Sequence, residues 1–226
     1  MVPERRFAHN RAMGSHAASL IALSLAWIAY GALHSVLAAQ GAKRWVAAHL
    51  PRLMPAYRLL YNLFAGVALL PILWLLWRDP SPWLWRWHGA MAWVLNGLAL
   101  LATGLLLVGP GLYDLSEFLG FRQLRERRTA PEDQEPFRIA PLHRYVRHPW
   151  YALSLVILWT RDMNTAMLVS ALWITAYFIL GSRLEERKLL IRFGDAYRDY
   201  MTRVPGLLPR PWKILSQEDV RKLGGG

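Results

Sequence analysis

Two short stretches of this 226-residue sequence concentrate side chains that can do chemistry. The first is R-H-P-x-Y, Arg147 to Tyr151, directly in front of the apolar run "WYALSLVILW". The second is the pair Glu185 and Glu186, followed by F-G-x-x-Y-x-x-Y from Phe193 to Tyr200 and then by Val204-Pro205. A guanidinium and an imidazole donate hydrogen bonds, two carboxylates accept them, and tyrosines add hydroxyls and aromatic faces. Each group also has a plainer explanation. Arg147 could snorkel to lipid phosphates, and His148 could be an ordinary interfacial histidine. Adjacent glutamates point about 100° apart on a helix. Glu186 could pair with Arg183, and Glu185 with Lys188, at the favourable i,i+3 spacing. What carries weight is the order of these groups along the chain.

The elements that must position them are membrane helices. The chain is 54% hydrophobic and 19% charged, with 12 Trp and no Cys. Its apolar residues are collected into runs at 18–39, 59–77 and 90–113, with His34 the one titratable group among them apart from tyrosine. Each run reaches the roughly 20 residues that cross about 30 Å of hydrocarbon. The fourth apolar region is divided. "WYALSLVILW" is too short to span alone at about 1.5 Å per residue, and "AMLVSALWITAYFILGS" (166–182) follows after "TRDMNT". This pattern predicts a helical hairpin. Its first arm begins in the polar segment near Tyr145, with Pro149 setting the helix start; its second is capped by Asp162 or Asn164 and continues to about Arg192. The expected fold is an all-α polytopic membrane protein of about five transmembrane helices. Residues 1–226 form a single domain, with three spans in 1–113 and an interfacial segment, hairpin and C-terminal region in 114–212. Between them, "DLSEFLGFRQLRERR" (114–128) is an amphipathic stretch expected to lie along the interface. Gly194 is expected to break the last helix, and Pro205 to stop the short helical stretch after that break.

Lysine and arginine cluster after the first run, between the third and fourth, and after the hairpin. By the positive-inside rule these segments are cytoplasmic, which puts the N-terminus outside and the C-terminus in the cytoplasm. The net charge of +12 is explained by basic loops on an anionic leaflet. No nucleic-acid motif accompanies it, so nucleic acid is not an expected partner. The absence of Cys excludes disulfides, thiolate metal sites and cysteine nucleophiles. The histidines do not fall at ligand spacing with acids, and no metal site is expected.

"RHPWY", "EERKLLIRFGDAYRDYMTRVPGLLP" and the hairpin between them resemble the isoprenylcysteine carboxyl methyltransferase superfamily, over roughly residues 139 to 210. That group includes phospholipid methyltransferases, and sterol reductases share its C-terminal architecture. "LHSVLAAQGAKRW", "YRLLYN" and "DLSEFLGFRQL" look like its bacterial branch, which contains methanethiol S-methyltransferases and NnrU-type membrane proteins. The chain departs from the superfamily pattern at Pro141 and His143, where relatives often have Gly and Tyr, and at Leu153, where they often have Gly.

The resemblance implies an integral methyltransferase, in a bacterial inner membrane, that uses S-adenosyl-L-methionine without a Rossmann fold and releases S-adenosyl-L-homocysteine. The cofactor pocket would lie on the cytoplasmic side. Cofactor-binding candidates are Tyr145, Arg147, His148, Tyr151, Glu185, Glu186 and Tyr197. The arginine and histidine would donate to carboxylate or ribose acceptors, the glutamates accept from ammonium or hydroxyls, and the tyrosines supply faces for adenine or sulfonium. Catalytic candidates are His143 as a base, Glu186, and Arg203 to hold an acidic acceptor. The acceptor is lipophilic or small: a thiol, a carboxylate or an amine. A non-catalytic NnrU-like membrane partner and a reductase-like NADPH enzyme are the alternative readings.

Overall fold

A computed structural model describes residues 3–79, 81–108, 115–130, 137 and 139–224. The end of the third apolar run, most of the 129–137 loop and Arg138 lie outside the described residues. The elements are nearly all helical. Helix α1 is Pro3–Ala38, α2 is Gln40–His49, and a 3-10 turn at Pro51–Ala56 leads into α3, Tyr57–Arg78. A short strand β1 (Trp83–Trp85) precedes α4, Gly89–Val108. Two small helices, α5 (Leu115–Leu119) and α6 (Phe121–Arg125), follow, and a 3-10 turn at Pro141–Arg144 precedes α7, Pro149–Trp159. Strand β2 (Met163–Asn164), the long α8 (Thr165–Arg203) and α9 (Gln217–Gly224) complete the chain.

Four helices are long and apolar enough to cross a membrane: His16–Ala38, Pro51–Arg78, Gly89–Leu107 and Thr165–Arg203. They coincide with the predicted runs, and their side chains are largely exposed, as a lipid-facing surface requires. This is an integral membrane protein. Pro71 sits inside α3, a position that membrane helices tolerate better than soluble ones. The predicted hairpin is present, but its first arm starts later than expected. The 141–144 stretch tightens into a 3-10 turn, and α7 opens at Pro149 and has 11 residues. Proline at the first helical position costs no hydrogen bond, so the helix starts there. At the other arm, Asn164 Oδ1 accepts from the Met167 amide at 2.8 Å and caps α8. Gly194 has φ 56° and ψ −126°, and α8 kinks there before running on to Arg203.

The chain divides into two compact units. One takes Met1–Arg86, Leu115–Asp133 and Asp162–Trp173. In it α1 packs along α3 around Leu23, Ile72 and Ala166, and Trp27 donates to Ser170 Oγ at 2.9 Å. Strands β1 and β2 pair antiparallel, Trp83 with Asn164 and Trp85 with Met163. The other unit takes Trp87–Asp114, Gln134–Arg161 and Ile174–Gly226. In it α7 packs closely along α4, whose buried positions are Ala99 and Ala102, small side chains that suit a close helix contact. Helix α7 reaches α8 through larger groups: Trp159 Nε1 donates to Thr175 Oγ1 at 3.0 Å, and Tyr151 stacks on Phe178.

The amphipathic segment is docked rather than loose. Gly120, with φ 98°, lets α5 turn into α6. Arg58 Nη1 donates to Glu117 O at 3.1 Å, and Asn62 Nδ2 donates to Phe118 O and Leu119 O at 3.0 and 3.1 Å. A Cβ built on Gly120 would stand 2.5 Å from Leu59 N and 3.0 Å from Arg58 C, both backbone atoms that cannot swing aside. Gly120→Ala is therefore expected to destabilise this unit. The left-handed conformation alone costs about 1–2 kcal/mol, and the clash adds to it. Gly104, whose added Cβ meets nothing within 4 Å, is the control, since Gly→Ala inside a helix is favourable by about 1 kcal/mol. Thermal unfolding in detergent should show a lowered midpoint for Gly120→Ala and none for Gly104→Ala.

Candidate functional site

The predicted polar residues converge in the second unit, where the turn before α7 meets the end of α8. Pro149 starts α7, and Arg147, at a bend, and His148, at the N-cap, lead into it. Their amides donate to Pro205 O at 2.8 Å and Gly206 O at 3.1 Å, so the 204–206 segment is held against them. One turn earlier, Arg144 and Leu215 exchange bonds: the Leu215 amide donates to Arg144 O at 3.1 Å, and Arg144 Nε donates to Leu215 O at 2.9 Å. Tyr200 Oη donates to His143 O at 2.7 Å. Beneath lies an aromatic core in which Tyr197, Tyr200, Val204 and Leu215 are buried, with Phe137, Phe193, Val220 and Leu223 packed against them.

The charged groups form one chain. Arg147 donates through Nε to Glu186 Oε1 at 2.8 Å, and its Nη2 is also 2.8 Å from that oxygen. Its Nη1 donates to Met201 O at 3.0 Å and to Val204 O. His148 Nε2 meets the same Glu186 Oε1 at 3.0 Å, and its Nδ1 lies 3.4 Å from Glu185 Oε2. The two glutamates therefore flank one imidazole, despite the angle between them on the helix. The expected alternative of local i,i+3 pairing on α8 is not how Glu186 is used. Its partners lie 38 and 39 residues away in sequence. Among the described residues, neither Glu186 Oε2 nor Glu185 Oε1 takes a hydrogen bond or ion pair.

The other sequence candidates fall into two groups. Tyr151 stacks on the His148 ring, 5.6 Å between centroids, and on Phe178 at 4.6 Å. Tyr197 is 2% exposed inside the aromatic core. Half-buried Tyr151 is thus packed against two rings, and Tyr197 is enclosed in the core. Tyr145 is exposed, with Arg144 6.0 Å over its ring. Arg203 stands outside the cluster, held by Asp199 Oδ2 at 2.9 Å and Asp219 Oδ1 at 3.2 Å. Phe178, Gly206 and the carbonyls of Met201 and Val204 were not foreseen. An apolar ring, a glycine and backbone acceptors carry no chemical signature in sequence. A second polar contact arises in the first unit, where Tyr61 Oη meets His34 Nε2 at 2.6 Å and Tyr57 Oη donates to Leu37 O at 2.6 Å.

Two histidines are driven in opposite directions. Burial pulls His148 down, but its hydrogen bonds and charge interactions with Glu185 and Glu186 outweigh this and hold it above 6.5. His143 is lowered to about 4, by burial first and by the neighbouring His148 second, with Glu185 opposing. Each shift makes stability depend on pH. The stability from His148 is fully present below 6.5 and is lost as pH rises through its folded value. For His143 the unfolded chain binds the extra proton, so its contribution is present above 6.5 and is lost as pH falls towards 4. Thermal midpoints recorded from pH 4 to 9 should fall on both sides of neutrality. His148→Gln should flatten the alkaline side, and His143→Gln the acid side.

The chain is similar to several methanethiol S-methyltransferases. Methanethiol S-methyltransferase 2 of Bradyrhizobium diazoefficiens is 36% identical over 181 residues, covering 78% of this chain and 68% of that protein. The methanethiol S-methyltransferase of Mycobacterium tuberculosis is 36% identical over 183 residues, covering 79% and 73%. That of Pseudomonas deceptionensis is 36% identical over 179 residues, covering 78% and 67%. No protein-family model and no solved structure matches the chain. Alignments of this length exceed half of a 226-residue chain, so the likeness cannot be confined to the RHPWY and EE region and takes in sequence from both halves. The chain belongs to the methanethiol S-methyltransferase family and is a membrane-embedded methyltransferase.

Proposed function

We propose that this enzyme transfers a methyl group from S-adenosyl-L-methionine to a small thiol of the methanethiol class. The kinship carries the acceptor: three relatives at 36% identity are named for methanethiol. The chemistry of the donor set supports the methyl donor. Glu185 and Glu186 present carboxylates beside a ring stack of His148, Tyr151 and Phe178. A ligand carrying an ammonium, a sulfonium and ribose hydroxyls needs such acceptors. Bound S-adenosylmethionine supplies a methyl on a sulfonium whose carbon–sulfur bond breaks as the acceptor's thiolate sulfur bonds the methyl, leaving S-adenosylhomocysteine.

The chain's own residues align and desolvate. Glu185 and Glu186 accept from the donor's ammonium or hydroxyls, and exposed Tyr145 offers an aromatic face. His143 is not assigned as the base. With its value at about 4 it is far too weak to deprotonate a thiol, whose ordinary value is near 8.5 or above. Arg203, engaged by two aspartates, is not assigned to the acceptor. The thiol proton passes to solvent, and turnover should rise with pH as the thiol ionises. The site faces the cytoplasm of a bacterial inner membrane, with the N-terminus outside, in line with the basic clusters flanking the spans.

Two experiments test this reading. Detergent-purified protein given S-adenosylmethionine and methanethiol should release dimethyl sulfide into the headspace. An equimolar primary amine or carboxylate in place of the thiol should yield no methylated product. Thiol-independent release, or methylation of the amine instead, would sink the acceptor class. The chain is free of Cys, and exposed His88 lies in the loop between α3 and α4. An impermeant maleimide should label His88→Cys in intact cells and fail to label it in inverted vesicles. The reverse pattern would overturn the orientation.

A further inference from the structure

Arg147 and Glu186 are both conspicuous in sequence as ligand-binding groups, and the geometry separates their roles. All three nitrogens of the Arg147 guanidinium are engaged within the protein. Nε and Nη2 go to Glu186 Oε1, and Nη1 goes to the carbonyls of Met201 and Val204. The side chain is 12% exposed. Gly206 crosses over it so closely that an added Cβ would stand 3.4 Å from Nη2 and 3.9 Å from Glu186 Oε1. The Met201 and Val204 carbonyls are end groups of α8, which stops at Arg203. A helix C-terminus leaves such carbonyls without intrahelical partners and favours a cation beside them. Arg147 thus meets two needs that are internal to the fold.

Glu186 is divided between its oxygens. Oε1 takes Arg147 and His148, at 2.8 and 3.0 Å, while Oε2 takes no described residue. We propose that Arg147 is a positioning residue, which fixes Glu186 through Oε1 and caps α8. On this assignment Glu186 Oε2, with Glu185 Oε1 across the His148 ring, is the oxygen that meets the cationic or hydroxyl groups of the methyl donor. Arg147 then makes no contact with the donor's carboxylate. This rests on the methyl donor proposed above.

Calorimetric titration of the full chain in detergent with S-adenosylmethionine and with its decarboxylated analogue separates the roles. Failure of the wild type to bind S-adenosylmethionine overturns the donor and this assignment together. If it binds, the fold-loss on removing the ligand carboxylate should be the same, within about twofold, in wild type, Arg147→Met and Arg147→Lys. Affinity for both ligands should fall in Arg147→Met and recover in part in Arg147→Lys, which keeps a charge for Glu186. The donor's KM should rise with the thiol's KM unchanged. Loss of the carboxylate's effect in either variant would mean that Arg147 grips it, and would overturn the assignment while leaving the donor intact. Arg147→Lys carries the comparison if Arg147→Met does not fold. Glu186→Gln turns one acceptor oxygen into a donor and should weaken S-adenosylmethionine at least tenfold, with Arg147 untouched. Unchanged affinity there removes Oε2 from the site.

Discussion

A guanidinium withdrawn from water keeps its charge, so it must be surrounded by acceptors, and Arg147 imposes that condition where the last helix ends. Its neighbours supply one carboxylate and two backbone carbonyls. Much of the second unit's arrangement follows from that. Glu186 must be ionised and turned inward, the carbonyls of Met201 and Val204 must stop where they do, and the 205–206 backbone must run within reach of the 147 and 148 amides. Breaking a buried pair by removing one partner costs about 3–5 kcal/mol, because the other charge is stranded. That asymmetry ties a turn at residue 147 to a helix end more than fifty residues later. His148 then inherits its environment: a neighbour whose carboxylate is already anchored, and a second glutamate on the other side of the ring.

The first unit shows the same rule under a harsher solvent. Hydrocarbon offers no partner to a polar group, so each must be matched inside the protein. Tyr61 meets His34, Tyr57 finds Leu37 O, Trp27 finds Ser170, and Asn62 reaches the carbonyls of Phe118 and Leu119. Several of these residues lie in the "LHS" and "YRLLYN" segments that set the N-terminal half apart in sequence. Their spacing says nothing of one another. They become a set only when α1 and α3 lie side by side.

The spans were legible because bilayer thickness fixes a length that composition can be measured against. Positions 16–38 and 51–78 depart from the runs read at 18–39 and 59–77 mainly at their ends, and the third run, read at 90–113, is helical as far as it is described. Caps and breaks were legible where one residue type has few alternatives, as at Asn164 and Gly194. For the start of α7 two signals competed, span length asking for an arm from about Tyr145 and Pro149 marking a helix start, and the proline prevailed because it fixes the first helical position more strongly than the length of a span demands. The convergence of Arg147, His148, Glu185 and Glu186 was legible from motif order. Their division of labour was not, since sequence cannot tell a donor aimed at a ligand from one aimed at a backbone carbonyl. The commitment of Tyr151 and Tyr197 to packing was hidden for the same reason: the rings that cover them, Phe178 and Phe137, look like any apolar residue.

For an acceptor as small as the proposed thiol, recognition has to be built elsewhere. Even at the ceiling of about 1.5 kcal/mol per non-hydrogen atom, a two-atom ligand gains only about 3 kcal/mol on binding. That is a millimolar affinity or weaker. Rate enhancement therefore cannot be drawn from contacts with the acceptor. It must come from holding the methyl donor in one pose and from excluding water around the sulfonium, because a desolvated cation reacts faster with an anion than a hydrated one. The polar residues of this chain are distributed accordingly. The ordered donors and acceptors are gathered at the end of α8, while α4 and α7, which pack on one another, are built mainly of apolar residues. A polar cluster that fixes the donor, in a unit whose remaining helices are mainly apolar, is the distribution that such an acceptor requires.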